Sequence, residues 1–390
     1  MERGRLTGSF GPLFSLRCCP LLPTSHRMPV PKYILALLLA SSLSLTDSAQ
    51  AISIRPDQPV ADYNGLALEH RYSAAGYVQD VFGSFCTATL VSPTHALTAS
   101  HCFDDDADGQ IDDGLDPAAS AFGFEANVPN FSSANISQIA FHPQWSSSNG
   151  DAAFDLAILT LTAPINDILP AKITDATPAG LTGAAIGYGE QGLGNNFPSS
   201  IPGANDRLAA YNVIDSVGMT IETDFDSPQG NTSTLGSSTP LRLEGTTGPG
   251  DSGGPLFATF DGVTRLVGVL NGGANEAGGN DSEYGDVSEW AALRTASNLS
   301  FLAGFGILPV TPGLQGDYNR DGRIDAADYT VWRDNQIAAD GNEDGVINQL
   351  DYTIWKNAYG QPASGSVAVP EPAAVLLTLI GLLGPIRRRR

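Results

Sequence analysis

The chain has 390 residues, enough for two or three domains with buried cores, and its 42% apolar content excludes a wholly disordered acidic protein. Its 42 acidic and 20 basic residues give a formal net charge of -22 at pH 7, and many of the basic residues lie near the two ends. The acidic central region is expected to repel the phosphate backbone of nucleic acids, which argues against a nucleic-acid partner. It favours the binding of divalent cations instead.

The N-terminal part contains a targeting pattern. Residues 28–51, "MPVPKYILALLLASSLSLTDSAQA", combine a lysine, an apolar run and a small-residue end. This is typical of a secretory signal peptide, with cleavage expected after Ala51. Residues 1–27 fit no fold pattern, so we expect translation to start at Met28; the alternative is one long n-region. We therefore assign residues 1–51 to a leader and signal peptide and predict a secreted protein.

Two of the four cysteines, Cys18 and Cys19, lie in that leader. Cys86 and Cys102 remain in a protein bound for an oxidising compartment, where such a pair is expected to form a disulfide. In the chain-entropy model a loop of this size stabilises the fold by about 3 kcal/mol.

Residues 52–308 are rich in Gly, Ser, Thr and Ala and contain short β-like runs such as "FCTATLVS", "LAILTL" and "RLVGVLNGG". Turn residues separate these runs, and long helical periodicity is absent before residues 287–303. The pattern predicts an all-β barrel or sandwich domain closed by a C-terminal helix.

One serine lies where glycine and proline prevent a regular helix, in "EGTTGPGDSGGPLF" (244–257). A serine hydroxyl needs a base to become a nucleophile, and the base needs a third group to orient it. His101 in "LTASHC" and Asp155 in "FDLAIL" provide those groups for Ser252. Singly, these motifs are also compatible with a turn, a core histidine and a strand-end cap. Their joint occurrence in this order favours catalysis.

With these motifs, residues 52–308 resemble the trypsin and chymotrypsin family of serine proteases. The resemblance implies two six-stranded antiparallel β-barrels followed by a C-terminal helix. It implies that Ser252 is the nucleophile, His101 the general base and then acid, and Asp155 the group that orients the imidazole. The amides of Gly250 and Ser252 would form the oxyanion hole.

The same resemblance places Thr246 at the bottom of the specificity pocket. No carboxylate stands there, so we expect uncharged P1 residues to be preferred over Lys or Arg. A carboxylate from Glu276 or Glu283 is the alternative that would reverse this preference. The segment corresponding to the pocket wall consists of Asn271, Gly272 and Gly273.

Family members are activated when a newly freed apolar N-terminus inserts and its ammonium pairs with the aspartate before the nucleophile. Here that aspartate is Asp251, and signal cleavage would release Ile52. We therefore predict an Ile52–Asp251 pair formed by export itself. Ile54 and Val60 remain alternative termini, because Ile52 lies unusually far before Cys86.

The loop after His101–Cys102, "DDDADGQIDDGLD" (104–116), is acidic. Asp104, Asp106 and Asp108 fit the first ligand positions of a calcium loop, but Leu115 occupies the last position. The alternatives are a calcium site and a solvated insertion.

A Pro- and Gly-containing linker (309–316) precedes an internal repeat, "DYNRDGRIDAADYTVW" and "DGNEDGVINQLDYTIW". Residues 317–360 resemble a type I dockerin, which implies a small α-helical domain with two calcium loops and a possible cohesin-like partner. The alternative is a pair of solvated acidic turns. Expected ligands are Asp317, Asn319, Asp321, Arg323 (carbonyl), Asp325 and Asp328, then Asp340, Asn342, Asp344, Val346 (carbonyl), Asn348 and Asp351.

The tail (361–390) has a Pro-Glu-Pro, an apolar run and four arginines. It resembles the bacterial PEP-CTERM sorting signal, which implies recognition by an exosortase and transient anchoring at the cell surface. A plain membrane anchor is the alternative.

Together these features predict a secreted or surface-sorted, calcium-binding serine endopeptidase that cleaves protein or peptide substrates through an acyl-enzyme. It needs no cofactor for the chemistry itself. The rival hypothesis is a catalytically idle surface protein that uses the protease fold as a binding scaffold.

Overall fold

The computed structural model describes residues 52–79, 85–112, 115–124, 133–148, 150–236, 238–260, 262–274, 282–310, 315–319, 323–342 and 345–360. The predicted leader and the predicted sorting tail lie outside the described residues. The strands are β1 (Ser53–Ile54), β2 (Ala75–Gln79), β3 (Phe85–Ser92), β4 (His95–Thr98), β5 (Ala121–Gly123), β6 (Ser133–Phe141), β7 (Ala157–Leu161), β8 (Thr182–Gly187), β9 (Gly192–Leu193), β10 (Leu208–Val213), β11 (Ser216–Val217), β12 (Thr220–Asp224), β13 (Gly245–Thr246), β14 (Pro255–Phe260), β15 (Val263–Ala274) and β16 (Val287–Ala292). The helices are α1 (Val60–Ala67), α2 (Ala296–Ala303), α3 (Ala326–Arg333) and α4 (Gln349–Ala358).

Six strands close into a first barrel in the order β2-β3-β4-β7-β6-β5. Successive side chains of a strand point to opposite faces, so β4 and β7 each contribute to two cores. Ala96 and Leu159 pack inside this barrel, whereas Leu97 and Ile158 pack into the core of the second half. Thr98 pairs with Ala157 in this antiparallel pair. The segments after β4 and before β7 therefore meet at one barrel edge.

The second half is a seven-stranded sheet in the order β10-β8-β14-β15-β16-β12-β11. The side-chain amide of Asn212 on β10 donates to the carbonyl of Asp224 on β12, which joins two non-adjacent strands across the curled sheet. The two-residue β11 is additional to the six strands predicted for this half. Trp290 is almost fully buried in its core.

The antiparallel hairpin β14–β15 pairs Pro255 with Val269. The segment before β14 and the end of β15 consequently lie side by side. Strand β1 connects the N-terminal segment to this half, because Ser53 pairs with Thr246 of β13 on one side and with Gly192 of β9 on the other.

The helix prediction for residues 287–303 was wrong in its first half. Val287–Ala292 forms β16, which pairs with β12 and β15, and only Ala296–Ala303 is helical. Tertiary strand pairing overrides the local helical pattern here. Helix α1 was also not expected; it occupies part of the long stretch between Ile52 and Cys86.

The repeats form two short helices, α3 and α4, each opened by a capping box, Asp325 with Asp328 and Asn348 with Asp351. The indole N–H of Trp332 donates to the carbonyl of Asn348, and the indole of Trp355 donates to that of Asp325. The tryptophan of each repeat thus forms a hydrogen bond with the residue that precedes the helix of the other repeat. These reciprocal bonds hold the two repeats together as one packed unit.

Of the predicted linker, residues 311–314 lie outside the described residues. The amide of Val310 still donates to the carbonyl of Ile173 in the barrel domain (2.9 Å). Among the described helices, none is both long enough and apolar enough to cross a membrane.

Candidate active site

His101 and Asp155 lie together at the edge where β4 ends and β7 begins. His101 sits in a 3-10 turn (Ser100–Cys102), and Asp155 immediately follows another (Ala152–Phe154). The Nδ1 atom of His101 is 2.6 Å from Oδ2 of Asp155, and the His101 amide donates to Oδ1 at 3.0 Å. Ser100 Oγ donates to the carbonyl of Leu156, which holds the two turns together. The fully buried carboxylate therefore fixes both the main chain and the ring of the histidine.

Asn271 makes a third hydrogen bond to this carboxylate, with Nδ2 2.7 Å from Oδ2 of Asp155. The sequence predicted Asn271 only as part of the pocket wall, and its side chain is instead directed to Asp155. The sequence offers little signal for this contact, because it depends on how β15 passes the barrel edge.

Burial disfavours the charged imidazole, but the hydrogen bond and charge of Asp155, with a smaller contribution from Asp105, outweigh it. The pKa of His101 is therefore raised above its ordinary value. A carboxylate that stabilises the imidazolium in this way suits a histidine that must take up a proton during a reaction.

The predicted disulfide between Cys86 and Cys102 is present, with its Cα atoms 6.3 Å apart. Its sulfur atoms lie within 4.8 Å of a ring nitrogen of His101. The crosslink joins β3 to the turn that carries the histidine and so restricts where that turn can lie.

Ser252 lies in the loop before β14, half-buried, and its carbonyl accepts from the amide of Thr87 on β3 (2.8 Å). Gly250 and Gly253 flank it with φ values of 88° and 76°, a region that favours glycine. A Cβ on Gly253 would approach Thr98 Oγ1 to 2.0 Å. The serine loop therefore lies against the strand that leads to His101.

Among the described residues, the Ser252 hydroxyl forms no hydrogen bond within ordinary geometric limits. Catalytic hydrogen bonds are often long in ligand-free enzymes and tighten only when substrate is bound.

Asp251 is almost completely buried and directed away from solvent. Its carboxylate accepts from the amides of Gly189 and Gly248, each at 2.8 Å, and from Ile52 N at 3.2 Å. Burial raises its pKa to about 7, against the effect of these hydrogen bonds. Ile52 is itself fully buried, and neither Ile54 nor Val60 takes this position: Ile54 lies in β1 and Val60 begins α1.

A family model described as Trypsin matches residues 63–291, more than half of the chain. The chain belongs to the trypsin family. The predicted double β-barrel fold is confirmed by this match and by the observed sheets.

Two curated proteins match about half of the chain at comparable identity. The chain is 29% identical to fibrinolytic enzyme, isozyme C, of Lumbricus rubellus over 201 residues, covering 48% of this chain and 75% of that protein. It is 27% identical to spermosin of Halocynthia roretzi over 253 residues, 59% of this chain and 58% of that protein. A solved structure of a Glu endopeptidase in complex with MPD matches with a TM-score of 0.43 and 18% identity, covering 66% of this chain and 96% of that one.

In this trypsin-family chain, Thr246 is buried on β13. Its Oγ1 lies 3.0 Å from Ser288 Oγ, and Thr247 Oγ1 lies 2.8 Å from the same atom. Gly273 of the predicted wall pairs with Ser288 across β15 and β16, and its neighbour Gly272 pairs with Glu289. The sequence missed the contribution of Thr247 and Ser288, which only the strand register reveals.

Glu276 and Glu283 are the alternative sources of a negative charge in the pocket. Glu283 Oε1 accepts from the amide of Phe197 (3.1 Å), and Glu276 lies outside the described residues.

The structure brings together the three carboxylates of the acidic loop. Oxygens of Asp104, Asp106 and Asp108 lie within 4.8 Å of one another. Asp104 is fully buried and accepts from the amides of Asp108 and Gly109 and from the indole of Trp145 (2.9 Å). The buried Asp104 carboxylate therefore holds the conformation of the loop through these hydrogen bonds.

In the repeats, the two aspartates at the last ligand positions occupy equivalent, fully buried sites. Asp328 accepts from the amides of Asn319 (2.9 Å) and Asp325 (2.8 Å). Asp351 accepts from the amides of Gly341 (2.8 Å) and Asn348 (2.7 Å). Both loops thus fold back onto their helices. Asp321 and Asp344 lie outside the described residues, so their predicted ligand roles remain predictions.

Proposed function

We propose that this chain is a secreted serine endopeptidase that hydrolyses peptide bonds through an acyl-enzyme. The observation that carries the proposal is the 2.6 Å contact between Asp155 and His101, beside the loop that presents Ser252. His101 Nε2 takes the proton of the Ser252 hydroxyl as Oγ attacks the scissile carbonyl. The histidine then donates that proton to the leaving amine, and water repeats the sequence on the ester.

Asp155 orients the imidazole and stabilises its charged form, and Asn271 holds the Asp155 carboxylate in place. The amides of Gly250 and Ser252 are proposed to donate to the oxyanion of the tetrahedral intermediate. Donors of this kind contribute about 3 kcal/mol each in related mechanisms. The positive φ of Gly250 supports this role, because it permits a peptide orientation that other residues rarely adopt.

For specificity, we propose that the base of the pocket is polar but uncharged. The hydroxyls of Thr246 and Thr247 each form a hydrogen bond with the hydroxyl of Ser288, and none of these three groups carries a negative charge. A Lys or Arg side chain bound there would bury a charge without a partner.

A peptide library that varies P1 tests both the reaction and the specificity. We expect cleavage after uncharged residues at least about tenfold faster than after Lys or Arg, since an unpaired buried charge costs more than 1.4 kcal/mol. The matched variant Thr246→Asp should shift the profile towards basic P1 residues. Preferred cleavage after Lys or Arg by the wild type would refute the pocket assignment, and the absence of any cleavage would refute the proposed reaction.

We further propose that residues 317–360 form a dockerin-like module that binds two calcium ions and has a cohesin-like partner, and that Asp104, Asp106 and Asp108 hold another calcium ion. The buried carboxylates of Asp328 and Asp351 at the last ligand positions support the first assignment. The oxygens of Asp104, Asp106 and Asp108, which lie within 4.8 Å of one another, support the second. We propose that an exosortase recognises the tail (361–390) and that the protein reaches the cell surface.

Removing calcium should unfold the repeats while leaving the barrels folded, because the acidic side chains of an empty loop repel one another. Hydrogen exchange of the full chain, made inactive by Ser252→Ala, measures this directly. We expect amide protection in α3 and α4 to fall in chelator, with the central hairpin β14–β15, which carries none of the proposed calcium ligands, as the internal control. Equal protection of both helices with calcium and with chelator would contradict the proposal.

A further inference from the structure

A cavity of about 700 Å³ lies between the barrel domain and the two repeats. Its walls come from the segment before β2, the connection between β7 and β8, the β14–β15 hairpin, and α3 with the loops on either side of it. His101, Asp155 and Ser252 are not among the residues that line it. Small organic ligands bind in cavities of this size, so the cavity is a candidate ligand site separate from the active site.

Direct contacts join the repeats to the barrel domain around this cavity. A Cβ on Gly345 of the second repeat would lie 2.6 Å from Nε2 of His70, so the backbone of this loop lies against the His70 ring. The side-chain amide of Gln315 donates to the carbonyl of Gly341 (3.2 Å), and a Cβ on Gly262 would lie 2.6 Å from the same side chain. Gln315 therefore connects the turn between β14 and β15 with the second repeat.

Part of the cavity surface is apolar. Phe257 on β14 lines it from the barrel domain and Val331 on α3 lines it from the repeats, and both side chains are buried. Leu169 also lines the cavity and is 45% exposed. An apolar group that enters the cavity would remove this surface from water, which favours binding.

The charge of the cavity is opposite to that of the chain as a whole. The chain has 42 acidic and 20 basic residues. Three basic side chains and one acidic side chain line the cavity, namely Arg71, Lys172, Arg265 and Asp340. The cavity is therefore positively charged within an acidic protein, and an anion is the kind of ligand that complements it.

The basic side chains differ in how far nearby groups offset their charge. Arg71 Nε donates to Glu69 Oε2 (2.6 Å), and the buried Arg265 donates from Nη1 to a main-chain carbonyl (2.6 Å). Lys172 is exposed, and it forms no ion pair with any acidic side chain in the described ranges. Asp340 is one of the proposed calcium ligands, and a bound ion would offset its negative charge. Among these groups, Lys172 is therefore the one most available to an anionic ligand.

We propose that this cavity binds a small organic anion with an apolar body, such as a carboxylate on an alkyl chain. The apolar body would lie against Phe257 and Val331, and the anionic group would face Lys172. A neutral ligand of the same shape would leave the positive charge unmatched, and a small inorganic anion would leave the apolar walls in contact with water. Because the barrel domain and the repeats line the cavity together, the bound ligand would contact both.

The test is a calorimetric titration of the full chain with octanoate. Every protein carries Ser252→Ala to prevent self-cleavage, and calcium is present in every sample. Octanamide, which has the same alkyl chain without the charge, and acetate, which has the charge without the chain, are the comparison probes. We expect one octanoate to bind per chain, at least about tenfold more tightly than either comparison probe, since hydrogen bonds to a charged group and burial of apolar surface both contribute.

Two variants at exposed positions that line the cavity locate the site. Gln336→Glu adds a negative charge with little change in shape, and Lys172→Gln removes a positive one. Each should weaken octanoate binding at least about threefold, because both changes make the cavity less favourable for an anion. Gln349→Glu and Lys356→Gln are the matched controls: they make the same changes at exposed positions of α4 that do not line the cavity, and they should bind octanoate as the parent does.

Melting temperatures establish that all four variants are folded. Parental affinity for octanoate in either cavity variant would overturn the proposal, as would equal affinity of the parent for octanoate and octanamide. No binding of octanoate to the parent would also overturn it. Peptide hydrolysis takes no part in these measurements, so a negative result would leave the proposed protease function unaffected.

Discussion

Replacing Ser252 with alanine is expected to lower peptide hydrolysis by about a millionfold while leaving the fold unchanged. Loss of a serine nucleophile has an effect of this size in enzymes that use a catalytic triad, because no acyl-enzyme can then form. The side chain is half-buried and its hydroxyl makes no hydrogen bond among the described residues, so its removal costs the fold little. Hydrolysis rates and melting temperatures of the two proteins measure both effects.

Ser300→Ala is a matched control, because Ser300 is exposed on α2 and distant in sequence from every motif. It should keep full activity. A fluorophosphonate probe should label the parent and this control at Ser252 but not Ser252→Ala, which separates an enzyme from an idle scaffold. Residual turnover of Ser252→Ala within tenfold of the parent would show that the triad assignment is wrong.

A chain that begins at Ile52 is expected to be active, and one extra residue before Ile52 should reduce activity at least about a hundredfold. Ile52 N lies 3.2 Å from the buried carboxylate of Asp251. A free ammonium there would neutralise a carboxylate that otherwise has only amide donors. Breaking a buried pair of this kind typically costs 3–5 kcal/mol.

The backbone of Ile52 supports this prediction independently. Its φ is 63°, a conformation that β-branched residues rarely adopt. Such strain costs about 1–3 kcal/mol and is relieved when no peptide precedes the residue. We therefore expect a chain that is uncleaved before Ile52 to be strained at this residue.

The comparison needs three proteins that begin at Ile52, one residue earlier, and at Ile54, with each N-terminus verified by mass spectrometry. The form beginning at Ile54 lacks the atom that approaches Asp251 and should also be nearly inactive. Equal activity of the first two forms would rule out Ile52 as the activating residue, whereas higher activity of the third would assign that role to Ile54.

Local motifs were sufficient to predict His101, Asp155 and Ser252 as a set and to predict the Cys86–Cys102 disulfide. Each depends on a residue type inside a short pattern, and the order of the patterns indicated the family. Glycines around Ser252 were also informative, because a positive φ restricts the residue types that a turn accepts.

The contacts that local motifs did not predict depend on the register of strands that are distant in sequence. Asn271 was predicted as pocket wall but binds Asp155, since β15 brings it to the barrel edge; Ser288 reaches Thr246 for the same reason. The sequence by itself therefore determined which side chains are the candidates for the chemistry, and the all-β class of the main domain. Only the tertiary structure decided that residues 287–292 form a strand and that Asn271 reaches Asp155. The physical reason is that strand pairing and burial depend on partners far away in the chain, which no local pattern specifies.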